Sequence, residues 1–304
     1  IYMKNNIKET ELQENIKQVL LGSLLGDGYL TKQKNSHNAY FREVHSLKQK
    51  DYLIWKNNFL NYFNTKIKEY STYDKRTNKY YYSIYLYSRV NPAFTTYHNS
   101  LYKQNIKKVT KEFLNEIKKL GLSVWYMDDG YYHYGYNRVG LATDCYSYKE
   151  HVLIKNWLKC KFDIKSQIHR RNKIGENSYN IVLSKNEATK FLKIIEPYII
   201  KSMYYKLGHL KSENLQKINK HKGRALQMSR KYYHKIKETK KYKKYRKNYV
   251  QINKKKLLEN RKRYYLINKD KILKLKKEYY IKNRNSIREK QNLYRLKKLM
   301  IERR

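Results

Sequence analysis

Cysteine, proline and acidic side chains are all scarce in this chain. Its 304 residues contain two cysteines, Cys145 and Cys160, with no close-spaced partner. Two such residues supply neither a four-ligand zinc knuckle nor a disulfide framework, so the expected compartment is a reducing one. Proline occurs twice, at Pro92 and Pro197, while Tyr, Lys, Asn and Ile dominate. That bias fits an AT-rich coding sequence of the kind carried by organelle genomes. Long apolar runs are missing too. The longest lies around residues 19–25, far short of the roughly 20 residues that a membrane span requires. The first residues are polar and rich in Lys and Asn, which gives no expectation of a secretory signal. The chain opens on Ile1 rather than Met, as expected of a fragment or of a reading frame fused to an upstream exon.

Positive charge is abundant. Lys and Arg number 70 against 25 Asp and Glu, a net charge of +45. Such a surplus repels itself unless a polyanion neutralises it, and nucleic acid is the default partner. The charge divides the chain. Residues 216–304 hold 34 Lys and Arg against 6 acids, a net of +28, while residues 1–215 carry +17. Apolar residues make up 40%, which leaves core material for a globular first part but little for the last.

The first part repeats itself. A helix is expected over 11–25, where Ile16, Val19, Leu20 and Leu24 recur at helical spacing and Gly26 and Gly28 end the run. Segments 37–47 and 78–90 read as strands, and residues 51–63 between them as a helix. A further helix is expected near 92–103. The second half follows the same order, with a helix over 111–129, strands at 138–143, 164–170 and 178–183, and helices at 147–161 and 185–200. The tail repeats with a shorter period of 15. Tyr249, Tyr264, Tyr279 and Tyr294 fall in register, as do Asn253, Asn268 and Asn283. Each unit has too few apolar residues to offset ordering entropy alone. Fluctuating helices that dock on phosphate backbone are expected there, with Lys neutralising phosphate and Tyr stacking on bases. The alternative is a solvated low-complexity extension.

Two stretches carry chemistry. Leu20-Leu21-Gly22-Ser23-Leu24-Leu25-Gly26-Asp27-Gly28 and Leu122-Ser123-Val124-Trp125-Tyr126-Met127-Asp128-Asp129-Gly130 are both apolar runs that end in an acid and a glycine. One alone reads as a helix ending in an Asp-Gly turn. The pair implies two similar halves whose motif helices pack side by side, Gly22 and Gly26 giving a smooth i, i+4 face. Asp27 and Asp129 are then brought together. Carboxylates in contact repel unless a cation intervenes, and oxygen ligands favour Mg²⁺. Set under a basic surface, that site suits phosphodiester hydrolysis.

These stretches resemble the two signature motifs of LAGLIDADG homing endonucleases, in the single-chain, two-motif form encoded by group I introns of fungal organelles. The resemblance covers about residues 10–210, and 125–130 is its closest part. It implies an α+β fold of two pseudo-symmetric αββαββα halves, residues 1–107 and 108–215, with an antiparallel saddle of strands on the DNA major groove. A basic tail at 216–304, helical or partly disordered, follows. The acid at the eighth motif position binds metal in that family, which assigns Asp27 and Asp129 as metal ligands and catalytic residues with Mg²⁺ or Mn²⁺. A lysine near each site is also implied. Lys206, in the stretch 200–207, and Lys108 are the candidates. DNA readout would fall to Arg42, Arg89, Arg138, Arg170 and Arg171, in or beside strand-like segments, although each can instead contact phosphate. The second motif departs from the signature at Val124 and Asp128. Asp128 reads as a helix-end or DNA-facing acid rather than the main ligand.

The implied function is site-specific double-strand DNA cleavage by a monomer on a long asymmetric target, in an organelle, the mitochondrion above all. The alternative from a different class is a maturase that binds its own intron RNA, with or without cleavage. A third is a DNA-binding relic. The remaining constellations are weak. Glu150-His151 reads as a surface pair, Gly135 and Gly140 as turn residues, and no phosphate-cradling glycine loop is present.

Overall fold

In the computed structural model the backbone is described for residues 2–34, 36–173 and 176–302. The chain divides into two units, 1–227 and 228–304.

The first unit contains the same αββαββα succession twice. The first copy runs α1 (Tyr2–Leu25), β1 (Tyr29–Thr31), β2 (Tyr40–Ser46), α2 (Lys50–Leu60), β3 (Lys66–Asp74), β4 (Lys79–Tyr87) and α3 (Pro92–Leu101). A hairpin of β5 (Tyr102–Lys103) and β6 (Ile106–Lys107) and the short helix α4 (Lys111–Glu116) lead into the second. That copy runs α5 (Lys119–Asp129), β7 (Gly130–His133), β8 (Arg138–Leu141), α6 (Tyr148–Phe162), β9 (Gln167–Lys173), β10 (Glu176–Leu183) and α7 (Lys185–Ile195). The strand orders match, β1-β2-β4-β3 and β7-β8-β10-β9, and every pairing is antiparallel. A 3₁₀ run, Lys201–Leu210, precedes α8 (Leu215–Ile236). Ile218 of α8 is buried in the shared core, so residues 216–227, grouped with the tail on charge alone, belong to the first unit.

The two motif helices, α1 and α5, form the spine of that core. Their apolar positions from Val19 to Leu25 and from Leu122 to Met127 are almost wholly inaccessible. They cross at small residues. A Cβ on Gly22 would lie 2.4 Å from the Gly121 carbonyl oxygen and 2.6 Å from Val124 Cβ, and one on Gly121 would lie 2.7 Å from Gln18 Oε1. The glycine that Val124 displaces from the second motif is thus supplied one position ahead of it, by Gly121. The single helix expected over 111–129 is in fact two. Ile117 (ψ 121°) and Lys118 (ψ −172°) are extended. Gln18 of α1 bridges that break. It accepts from the Lys118 backbone N–H at 2.6 Å and donates to the Glu116 carbonyl at 2.9 Å, satisfying polar groups that a helix break would otherwise strand.

Two smaller expectations are corrected. Glu150 and His151 are buried. Glu150 closes a capping box on Ser147 and accepts from the Val109 N–H at 2.8 Å, while His151 lies 2.9 Å from Thr143 Oγ1. Gly140 sits within β8 opposite Tyr131, where a Cβ would fall 2.2 Å from the Tyr131 ring.

The second unit is helical. Its elements are α9 (Lys240–Ile252), α10 (Lys254–Ile267) and α11 (Lys269–Glu302), the last broken at Asn283. Among the described residues no helix is long and apolar enough to cross a membrane.

Candidate active site

Both motif helices end at one place, where Gly26 meets Asp128. A Cβ on Gly26 would lie 2.5 Å from Asp128 Oδ2, and the Asp27 N–H donates to that oxygen at 3.4 Å. The absent side chain at the seventh position of the first motif makes room for the carboxylate at the seventh position of the second. Asp128 does not face outward. Its side chain is fully buried beside Lys56 and Glu43, both also inaccessible. Lys56 Nζ, on α2, donates to both Asp128 oxygens, at 2.8 and 2.9 Å, and to Glu43 Oε1, on β2, at 2.5 Å. Tyr52 adds a hydrogen bond to Asp128 Oδ1 at 2.8 Å, and His45 Nε2 lies 2.5 Å from Glu43 Oε1. Two carboxylates therefore share one ammonium in the core. Burial pushes Asp128 up to about 6, against the pull of Lys56. Burial acts the same way on Glu43, but the charges of Lys56 and His45 outweigh it and bring that carboxyl to about 2.

Above this pair lie the two acids that the sequence singles out. Asp27 Oδ2 is 3.8 Å from His45 Nδ1, and its side chain is 41% exposed. Ligand atoms of Asp27, His45 and Asp128 all fall within 4.8 Å of one another. Asp129 stands apart from that trio and accepts from Trp125 Nε1 at 3.2 Å. Burial pushes its carboxyl up to about 7, and the charges of Asp128 and Asp27 add to the rise. The neighbour that Asp27 touches across the interface is thus Asp128, while Asp129 joins the group through charge. Asp128 has both oxygens committed to Lys56, which leaves Asp27 and Asp129 as the carboxylates with unused lone pairs. Such a surplus of negative charge on oxygen donors fits a hard divalent cation.

Two lysines, Lys206 buried and Lys107 half-buried, flank the acids in matching positions. Lys206, in the 3₁₀ run, donates to the carbonyls of Met127 and Asp128 at the end of α5. Lys107, in β6, donates to the carbonyls of Leu24, Gly26 and Gly28 at 2.9 to 3.0 Å. Each cation sits at the negative pole of a motif helix. Burial lowers the pKa of both, and Asp27, Asp128 and Asp129 oppose that shift in each case. Lys107, not Lys108, is therefore the partner of Lys206. Lys108 lies just past the end of β6, where its charge acts on Glu150 and its backbone N–H donates to the Leu101 carbonyl.

The arginines divide by the same alternation. Arg42 pairs with Tyr29 and Tyr87 across β2 on the sheet face away from the core, its guanidinium 5.0 Å from the Tyr85 ring centre. In the second sheet Arg138, His169, Arg171, Asn180 and Tyr131 share the corresponding face through their cross-strand pairs. Arg171 on that face is paired with Asp144 at 2.7 Å. Arg170 has the parity of core-facing Ile168 and so points away from Arg171. Arg89 lies beyond the end of β4, exposed in the loop.

The profile of the LAGLIDADG DNA endonuclease family matches residues 17–191. The cytochrome b mRNA maturase bI2 of Saccharomyces cerevisiae is 31% identical over 221 residues, covering 68% of this chain and 50% of that protein. The DNA endonuclease I-ChuI of Chlamydomonas applanata is 26% identical over 216 residues, covering 66% of this chain and 99% of that protein. The chain spans about half the length of the first of these relatives. Among solved structures, the homing endonuclease I-WcaI bound to its DNA recognition sequence superposes with a TM-score of 0.59 at 21% identity, covering 64% of this chain and 86% of that one.

Proposed function

The chain belongs to the LAGLIDADG DNA endonuclease family, and from that premise we propose that it is a site-specific, double-strand DNA endonuclease working with Mg²⁺ or Mn²⁺. The observation that carries the reading is the meeting of the two motif-helix ends at Gly26 and Asp128, which sets Asp27 within charge reach of Asp129, with Lys107 and Lys206 at the helix poles. A divalent ion held by the two carboxylates would supply charge neutralisation at the scissile phosphate and an activated water. The chain's own residues do the rest. The glycine-mediated crossing fixes how near the acids come. Lys56 and Tyr52 lock Asp128 and so keep it from competing as a ligand. The two lysines add positive charge where the phosphate would sit. The outer sheet faces, with Arg42 on one and Arg138 and Arg171 on the other, suit contacts to base edges and phosphates. Those faces differ residue by residue, in keeping with an asymmetric target read by one chain.

A second reading has its own support. The relative in yeast is named as a maturase, so intron RNA is a candidate partner of the same fold. An organellar, mitochondrial setting is consistent with the amino-acid bias and with that relative. Cleavage of genomic DNA in vitro, read by sequencing of the broken ends, separates the two readings. Discrete breaks that need Mg²⁺ and vanish with a chelator are expected. Tight binding to intron RNA with no break at any site would replace the endonuclease reading by the maturase one.

The raised carboxyl of Asp129 gives a pH dependence. Its folded value, about 7, lies above the unfolded value of about 3.9. Its contribution to stability is therefore complete below pH ~4 and lost as the pH rises through about 7, amounting to up to about 4 kcal/mol. The urea midpoint of metal-free protein is expected to fall more between pH 5 and pH 8 for wild type than for Asp129→Asn. Mg²⁺ should restore wild type more at the higher pH. Equal falls in the two proteins would remove Asp129 from the charged group.

A further inference from the structure

We propose that residues 239–298 form an array of four equivalent modules, each 15 residues long, and each binding the phosphate backbone of double-stranded DNA independently of the target sequence. The units run 239–253, 254–268, 269–283 and 284–298. Each holds six Lys or Arg, although the other residues drift from unit to unit. Net charges are +6, +5, +4 and +5.

The structure gives these units matching boundaries. Asn253, Asn268 and Asn283 have φ between −101° and −113° and ψ between 15° and 17°, outside the helical region. In each, the side-chain Nδ2 donates to the carbonyl of the tyrosine four residues earlier, Tyr249, Tyr264 or Tyr279, at 2.8 to 2.9 Å. The same residue thus breaks the helix in the same way three times. The chain restarts as a helix after every break.

The break has a geometric use. Fifteen residues turn an α-helix through about 60° beyond four full turns. In an unbroken helix the basic positions would rotate off a partner's surface within two or three units. A break at every fifteenth residue lets the register reset. The tyrosines before each break stay exposed, Tyr264 and Tyr279 by 64% and 65%, and are available to stack. Spacing favours duplex DNA as the partner. One unit advances about 22 Å along its axis, a length that holds six or seven phosphates of one strand at about 3.4 Å each. Six cations per unit match that count.

The test is a truncation series of the full chain ending at Asn283, Asn268, Asn253 or Glu238, with binding to a target-free duplex of about 40 bp followed against KCl. The slope of log K on log salt is expected to fall by a similar step, about four to five, for each unit removed. A slope unchanged by truncation, or lost entirely with the last unit, would overturn the modular array. A triple variant, Asn253→Ala with Asn268→Ala and Asn283→Ala, keeps every charge but favours a continuous helix. Its slope should drop below that of wild type, and an unchanged slope would overturn the role of the breaks. Tighter binding to a single-stranded RNA of equal length, or to phosphatidylserine vesicles, would overturn duplex DNA as the partner. The readout is binding alone, so its outcome is separate from that of the cleavage test.

Discussion

Asp27→Asn and Asp129→Asn should each abolish double-strand cleavage, lowering the rate at least about a thousandfold, some 4 kcal/mol of barrier. Asparagine keeps the size of the side chain and one acceptor oxygen. It removes the charge that a cation requires, and neither position has a second carboxylate free to replace it, because Asp128 is held by Lys56 at 2.8 and 2.9 Å. DNA affinity should hold or rise, since a negative charge facing phosphate is lost. Resolving supercoiled, nicked and linear plasmid over time checks this. Linear product at wild-type rate from either variant would remove that acid from the site.

The second large effect lies beneath the site. Lys56→Met should destabilise the protein by about 3–5 kcal/mol, because removing one partner leaves buried charge uncompensated. Glu43 and Asp128 would face each other with no cation between them, at positions where both side chains are inaccessible. In a domain of this size the melting temperature should drop by on the order of 10 °C. Lowering the pH should recover part of the loss, since a protonated carboxyl needs no counter-charge. Asp128→Asn should cost less, because Lys56 keeps Glu43 as its partner. Denaturation of the two single variants and the double variant measures the coupling. Additive losses would show that Lys56 and Asp128 do not act as a pair.

This cluster also marks the limit of what the sequence discloses. The motif helices were legible because apolar periodicity and the Asp-Gly endings are local features. So was the duplication, although β1, β3 and β7, and with them the matching strand order, came only with the structure. Pairing of Asp128 with Lys56, 72 positions earlier, is not local, and nothing in either segment announces it. An acid beside the motif's final acid reads naturally as an outward one until the room over Gly26 is seen. Lys107 and Lys108 are adjacent and of one residue type, so only the fold discloses which of them reaches the carbonyls at the end of the first motif helix. Gly121 lies just outside the motif, so its part in the helix crossing was hidden by the motif's own boundary. The buried Glu150 was signalled by its place three residues after Ser147, the spacing of a capping box. In the tail the period of 15 was plain, but the bond that makes Asn the break residue needed the backbone.

The central claim is that the two motif helices build one cation site from Asp27 and Asp129. Its most direct test is the amount of Mn²⁺ bound by the full chain on target DNA, read by electron paramagnetic resonance. Wild type should hold Mn²⁺, and the double variant Asp27→Asn/Asp129→Asn should hold none beyond the DNA alone. Wild-type occupancy in that double variant would contradict the account.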